Sequence, residues 1–314
     1  MPRANRKIKA ARISVATATG LSVIKLIAGL ATGSMAILSS AIDSLLDIFM
    51  SGVNLVAITK AEKPADKAHP FGHGKYETLA TLIQSSIIAL SGLAIIAESV
   101  RRLYLGSELR GLEGGIFILG FSIIASWLIS RYLLRVARET DSSALKADSL
   151  HFSMDVYTNA GLLLGLVVIR LFDIPWLDPI LSIAIACYIL FEAARLVRHG
   201  LRDVLDEELP ESIRGEVENL VRAHSDLHLD FHNLRTRRAG SQKIMDFHLT
   251  LCRHLTVEEA HRVADHLEKR IEEEIPGSDV TIHIEPCESE NCDHEREHCP
   301  HREKILPLID GFSH

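Results

Sequence analysis

The sequence predicts an α-helical membrane domain with six transmembrane helices, followed by a C-terminal α+β cytoplasmic domain. Three observations carry this. The chain is 47% hydrophobic yet 24% charged, and the two characters segregate. Long apolar runs dominate up to about Arg198, whereas the chain beyond Leu201 is polar and rich in His, Glu and Arg. Six of the runs approach the ~20 residues that cross a bilayer. The polar part then alternates amphipathic helices with strand-like segments. We divide the chain into a membrane domain at 1–204, a metal-binding cytoplasmic domain at 205–286 and a Cys/His-rich tail at 287–314.

The six spans are expected at 13–31, 37–58, 79–103, 114–134, 145–170 and 177–197. The N-terminus has the basic start of a signal peptide, but its apolar run continues to about Ala31 without a clear cleavage site, so it reads as the first span. Lys and Arg set the orientation. Arg3, Arg6 and Lys7 precede span one, Lys60, Lys63 and Lys67 follow span two, and Arg131, Arg135 and Arg138 follow span four. Arg195, Arg198 and Arg202 follow span six. All lie on one side, which places both termini in the cytoplasm of a protein integral to the plasma (inner) membrane. The link after span three, with Arg101, Arg102 and Arg110, is discordant. Gly29-x-x-x-Gly33 and Gly161-x-x-x-Gly165 read as close-packing sites between helices.

The soluble part begins with an amphipathic helix, ESIRGEVENLVRAH. Two alternating segments, LHLDFHNLRTRR and KIMDFHLTLCR, form strands joined by a hairpin at Ala239-Gly240-Ser241. Thr256 with Glu259 three residues on is a capping box, so a helix starts there and stops at Pro276-Gly277. DVTIHIEP is the last strand. That order resembles a small ferredoxin-like, metallochaperone-like sandwich.

Charge inside the spans carries the chemistry. Asp43 and Asp47 lie in one apolar run and His151 and Asp155 in another, each pair at i, i+4 and so on one helix face. A charged residue at the bilayer centre costs ~2.5–3.5 kcal/mol on insertion scales, so the four need a partner. Spans two and five supply no Lys or Arg at matching depth. A divalent cation satisfies all four. Three carboxylates and one imidazole suit Zn²⁺ and accept Fe²⁺, Co²⁺, Cd²⁺ or Mn²⁺, whereas the lack of Cys and Met argues against Cu(I). Asp66, His69 and His73, in the link after span two, form a second constellation. Gly72-His73-Gly74-Lys75 has neither the upstream Gly nor the Ser/Thr of a phosphate loop, which excludes a nucleotide site. The net charge of −7 speaks against nucleic-acid binding.

The cysteines do not form a disulfide framework. Cys187 falls in an apolar helix and Cys252 in a strand. The tail gathers Cys287, Cys292, His294, His298, Cys299 and His301, close Cys/His spacing that suits additional zinc in a flexible arrangement. On the soluble domain, His232 and His248 fall on adjacent strands, His283 on the third strand and His261 on the facing helix.

The DxxxD and HxxxD spans, the HPFGHGKYE loop and the FHNLRTRRAG hairpin, in this order, resemble the cation diffusion facilitator family, closest to its bacterial zinc/iron efflux members. The resemblance implies a transport site at Asp43, Asp47, His151 and Asp155 and a loop site at Asp66, His69 and His73. It further implies a cytoplasmic site at His232, His248, His261 and His283, with Glu285 where similar members carry Asp. A homodimer that exchanges a divalent cation for protons is implied too, with Lys75 and Asp206 forming an ion pair near the dimer interface. The chain is thus expected to be a proton-coupled exporter of Zn²⁺ or Fe²⁺, with the metal as both substrate and regulatory ligand and with no organic cofactor. It is not expected to be an enzyme. An intramembrane metal-dependent hydrolase would need a base and nucleophile motif that is absent. A membrane-anchored metal sensor would leave the charged residues within the spans unexplained.

Overall fold

The computed structural model describes residues 3–32, 35–105, 116–172, 176–288 and 299–309, and the chain divides into two compact units, Met1–Val204 and Leu205–His314. The first unit holds six long helices: α1 (Arg3–Thr32), α2 (Met35–Ala61), α3 (Lys75–Leu105), α4 (Ile116–Thr140), α5 (Ser143–Phe172) and α6 (Leu177–Val204). Among the described residues, Arg3–Ala28, Lys75–Tyr104 and Pro179–Val204 are long and apolar enough to cross a membrane.

The outside of this unit is greasy and its inside is partly polar. Ile27, Phe49, Leu90 and Phe191 are exposed, whereas Ser14, Ser51, Asn54, Gln84 and Asp148 are buried. Buried polar groups must find partners. The Asp148 carboxylate accepts from Ser14 Oγ at 2.6 Å, Gln84 Nε2 at 3.2 Å and Ser51 Oγ at 3.4 Å. One side chain of α5 thereby ties in α1, α2 and α3. Asn54 donates to the Ala144 carbonyl at 3.2 Å, a second tie between α2 and α5. Near the basic ends of the helices, the buried Lys7 pairs with Glu62 and, at 3.1 Å, with the fully buried Glu77. At Gly161, where α5 meets α6, an added Cβ would lie 2.5 Å from Ile185 Cδ1, the movable end of that side chain.

The second unit contains α7 (Glu211–Ala223), β1 (Asp230–Ala239), β2 (Gln242–Leu251), α8 (Val257–Glu274), β3 (Ser278–Pro286) and α9 (Pro300–Ile309). The sheet has the order β1-β2-β3, antiparallel between β1 and β2 and parallel between β2 and β3. Gly240, at φ 65°, allows the two-residue turn that pairs Ala239 with Gln242. The capping box forms, with Thr256 Oγ1 accepting from Glu259 N at 3.2 Å and Glu259 Oε2 from Thr256 N at 2.6 Å. Alternation sends Met245, Phe247, Leu249, Val280 and Ile282 into one core with Val217 and Val221 of α7 and Val263, Leu267 and Ile271 of α8.

The tail departs from expectation. It does not remain a polar extension, because Cys299, Ile305 and Ile309 are buried in the same core. Pro300 opens the helix, where its missing N–H costs nothing. Arg302 of α9 pairs with Glu259 of α8 at 3.2 Å.

Candidate functional site

Among the described residues, three groups of His, Asp and Glu side chains could hold a metal ion. In the membrane unit these are Asp47, His151 and Asp155, whose ligand atoms all lie within 4.8 Å of one another. His151 Nε2 donates to Asp47 Oδ1 at 2.9 Å, so the imidazole of α5 reaches the carboxylate of α2. Asp155 follows His151 by one helical turn, as i, i+4 spacing requires. Asp43 lies on α2 one turn before Asp47, but its side chain falls outside the described residues. The cluster opens onto a cavity of about 570 Å³. The same cavity is lined by Lys25, Ser44, Glu98, Arg102 and Asn159. Lys25 was missed by the sequence reasoning, which weighed only spans two and five for a cation. It comes from α1 and donates to Ser44 Oγ at 2.9 Å, between the two aspartates of α2. A lone Lys within an apolar run was the available signal.

The loop between α2 and α3 folds on its own acid. Asp66 Oδ1 accepts from His69 N at 2.7 Å and Ala68 N at 2.9 Å, and lies 3.2 Å from His69 Nδ1. Asp66 Oδ2 lies 3.3 Å from His73 Nε2. These bonds, the one from the His69 amide foremost, hold the Asp66 carboxyl below its ordinary value of 3.8. The His69 and His73 rings lie 4.4 Å apart and tilted by 41°, and Gly72 at φ 77° turns the chain between them.

The third cluster is built by strand register. His232 pairs with His248 across β1 and β2, and His248 pairs with His283 across β2 and β3. Three histidines therefore cross the sheet in one row, on the face opposite the core. Glu285 stands one repeat along β3 and bridges them. Its Oε1 accepts from His248 Nδ1 at 2.8 Å, and its Oε2 lies 3.4 Å from His232 Nε2. His283 Nε2 is 3.9 Å from Oε1. The extra methylene of Glu285 thus reaches across the row. His261 is not brought to this cluster, because α8 covers the other face of the sheet.

Two further residues shape the row. Pairing shifts between His232 and Arg235, so that Asn233 and Leu234 oppose Phe247 alone, a β-bulge. Asn233 takes φ 54°, and its amide lies 3.1 Å from His248 Nε2. The bulge lets Phe231 and Leu234 both pack on the core while His232 and Asn233 both stay exposed. Asp230 Oδ2 lies 2.8 Å from His232 Nδ1, the carboxylate–histidine contact that orients ligating imidazoles. Its i, i+2 spacing from His232 was legible in the sequence, whereas the bulge was not.

In the tail, Cys292, His294 and His298 lie outside the described residues. Cys299 is buried with its Sγ 3.3 Å from Cys252 Sγ, Cys287 Sγ accepts from Arg253 N at 3.5 Å, and His301 is exposed. Among the described residues the tail brings no three ligands together. Asp206 Oδ1 lies 3.5 Å from Arg237 Nη1.

A carboxylate–imidazole cluster among long apolar helices, joined to a domain with a histidine row, is a donor set that suits a divalent cation. Comparison with known proteins gives the family. Residues 11–205 match the cation efflux transmembrane domain, and residues 209–287 match the cytoplasmic domain of cation efflux proteins. The chain belongs to the cation efflux, or cation diffusion facilitator, family. It is 34% identical over 284 residues to the cation-efflux pump FieF of Salmonella newport and equally to that of Salmonella gallinarum, with 89% of this chain and 92% of each relative aligned. A solved chain of CzrB, from work on a candidate zinc transporter, is 36% identical over 26% of this chain and 99% of that one, with a TM-score of 0.25. The chain is a membrane transporter for divalent metal efflux and not an enzyme.

Proposed function

We propose that the chain exports Zn²⁺ or Fe²⁺ from the cytoplasm in exchange for protons, as a homodimer in the plasma (inner) membrane. All six helices cross the bilayer, and both termini face the cytoplasm. The observation that supports this reading best is the Asp47–His151–Asp155 cluster at the wall of a polar cavity. Metal ligands must shed protons to bind, so a site of two or three carboxylates and an imidazole alternates between metal and protons. One conformation favours each occupant, and alternation between them moves both in opposite directions.

The ferredoxin-like cytoplasmic domain senses metal through His232, His248, His283 and Glu285. His261 serves a neighbouring position on α8, and Lys75 with Asp206 forms an ion pair near the dimer interface. Asp66, His69 and His73 hold metal at the cytoplasmic mouth. The tail residues Cys287, Cys292, His294, His298, Cys299 and His301 take additional zinc. The test is flux in proteoliposomes against a panel of divalent cations, with and without a pH gradient. Zinc or iron uptake that rises with an opposing proton gradient supports the reading. Metal binding without flux would instead make the chain a membrane-anchored sensor.

A further inference from the structure

Three cysteines far apart in sequence meet at one end of the cytoplasmic sheet. β2 and β3 run parallel to their last pair, Leu251 with Pro286, and Cys287 N donates to the Leu251 carbonyl at 2.9 Å. Cys252 and Cys287 are therefore neighbours just past the two strand ends. Cys299 arrives from the other direction, immediately before α9, with its Sγ 3.3 Å from Cys252 Sγ. Cys252 and Cys299 are buried and Cys287 is half-buried. None of these cysteines is in a disulfide.

Two core thiols alone would be ordinary packing of small apolar groups. The backbone around them does more. After Cys252 the chain turns, with Leu255 N donating to the Cys252 carbonyl at 3.1 Å. That turn aims successive amides at sulfur. Arg253 N donates to Cys287 Sγ at 3.5 Å, and His254 N donates to Cys252. Amide donors favour a thiolate over a thiol, and a thiolate is the form that takes a metal. The sulfur spacing agrees. Two sulfurs on a tetrahedral zinc, each ~2.3 Å from it, lie ~3.8 Å apart. The Cys252–Cys299 pair would open by about 0.5 Å to reach that edge, whereas a disulfide would need it to close by about 1.3 Å. We propose that Cys252, Cys287 and Cys299 hold a borderline-soft divalent cation such as Zn²⁺, in a thiolate site that clasps α9 to the end of the sheet. The three sulfurs are not grouped within 4.8 Å of one another, so the ion draws Cys287, at its strand end, toward the buried pair. Water on the Cys287 side supplies the fourth position. The inference rests on the reading that the tail takes zinc, and it adds Cys252, a residue of the folded domain, to the ligands.

The test loads the full-length protein, kept reduced, with Co²⁺ as a spectroscopic stand-in for Zn²⁺. Thiolate ligation of Co²⁺ gives a charge-transfer band in the near ultraviolet. The membrane cluster, the loop and the histidine row offer no sulfur, so they are silent in that band. Wild type should show the band, and excess Zn²⁺ should remove it. Cys252→Ser should lose roughly a third of its intensity, one thiolate of three. Zinc should also slow alkylation of Cys287 several-fold in wild type and much less in Cys252→Ser. No band in wild type overturns this proposal together with the reading that the tail cysteines take metal. A full band and full protection in folded Cys252→Ser overturn this proposal alone and leave the zinc to the tail. If Cys252→Ser fails to fold, Cys299→Ser decides from the α9 side, where an unchanged band overturns the proposal. Metal flux by wild type in proteoliposomes tests the transport reading separately.

Discussion

His151 of α5 meets Asp47 of α2 at 2.9 Å, Nε2 to Oδ1. An imidazole that donates to a carboxylate must surrender that proton before the same nitrogen can take a metal. On the proposed transport reading, proton release and metal capture would fall on this one pair of atoms. Asp148, three residues before His151, is held by Ser14, Ser51 and Gln84, so the helix that presents the imidazole is anchored from three neighbours.

We predict that Asp155→Ala or Asp43→Ala lowers zinc flux in proteoliposomes to background while the protein keeps its elution volume. Each change removes one of at most four donors from a site with no sulfur ligand. Wild-type flux from either folded variant would remove this cluster from the transport mechanism.

The cytoplasmic row gives a graded prediction. Glu285 touches His232 and His248, whereas Asp230 touches only the far nitrogen of His232. Orienting partners of metal ligands typically contribute 10–100-fold in affinity. Asp230→Asn should weaken zinc binding about tenfold, and Glu285→Ala should weaken it more, both read by competition with a zinc chelator. Equal affinity in wild type and Asp230→Asn would reduce Asp230 to a surface acid.

For the loop, the sign of the pH dependence follows from Asp66. Its carboxyl is held below 3.8, so its contribution is present above that value and is lost as pH falls through the depressed one. The loop should resist limited proteolysis from neutral pH down to about 4. Asp66→Asn accepts the amide bonds through one oxygen only and carries no charge for His73. Its loop should be cleaved several-fold faster at pH 7. Equal cleavage of the two proteins would separate loop order from Asp66.

Much of the architecture was legible because membrane helices and sheet faces repeat. Six apolar runs foretold α1 to α6, and alternation in KIMDFHLTLCR placed His248 opposite Phe247 and Leu249. Spacing alone brought His151 and Asp155 to one face. What could not be read depended on contacts between distant segments. Lys25 reaches the aspartate helix only because α1 packs on α2, and the Asn233 bulge arises from register with β2. Cys252, read as a strand residue, meets Cys299 forty-seven positions on. The tail misled most. Its composition between 287 and 301 is polar, and the apolar Ile305, Leu306 and Ile309 that fold it back lie beyond the Cys/His motif that drew attention.

Burial pushes the Cys252 thiol up to about 11 from its ordinary 9.0. A neutral thiol suits the core, and an acid whose folded value is raised loses stability as pH climbs between the two values. The cytoplasmic unit should lose stability between pH 9 and 11, and Cys252→Ala should remove part of that slope. At pH 8 in the folded protein, iodoacetamide should label Cys287 well before Cys252. Comparable labelling would show that the Cys252 pocket opens readily.

The last prediction turns on α9. Ile305 is 2% exposed and Ile309 fully buried among residues that also include Val263, Leu267 and Phe247. Arg302 ties the helix to Glu259, itself half of the capping box that starts α8. Removing α9 therefore uncovers core and strips one partner from that cap. Ile305→Ala should cost about 2–5 kcal/mol, the usual range for truncating a buried isoleucine. Truncation after Pro286 should lower the thermal midpoint of the cytoplasmic unit and reduce zinc bound per chain. The proposed transport residues Asp43, Asp47, His151 and Asp155 lie on α2 and α5, so flux at saturating zinc should survive truncation at a temperature where the rest of the fold persists. The comparison needs a melting curve, elemental analysis and flux on one preparation. An unchanged midpoint in both variants would mean that α9 does not pack on this core. Loss of flux with the fold intact would make the tail part of the transport mechanism.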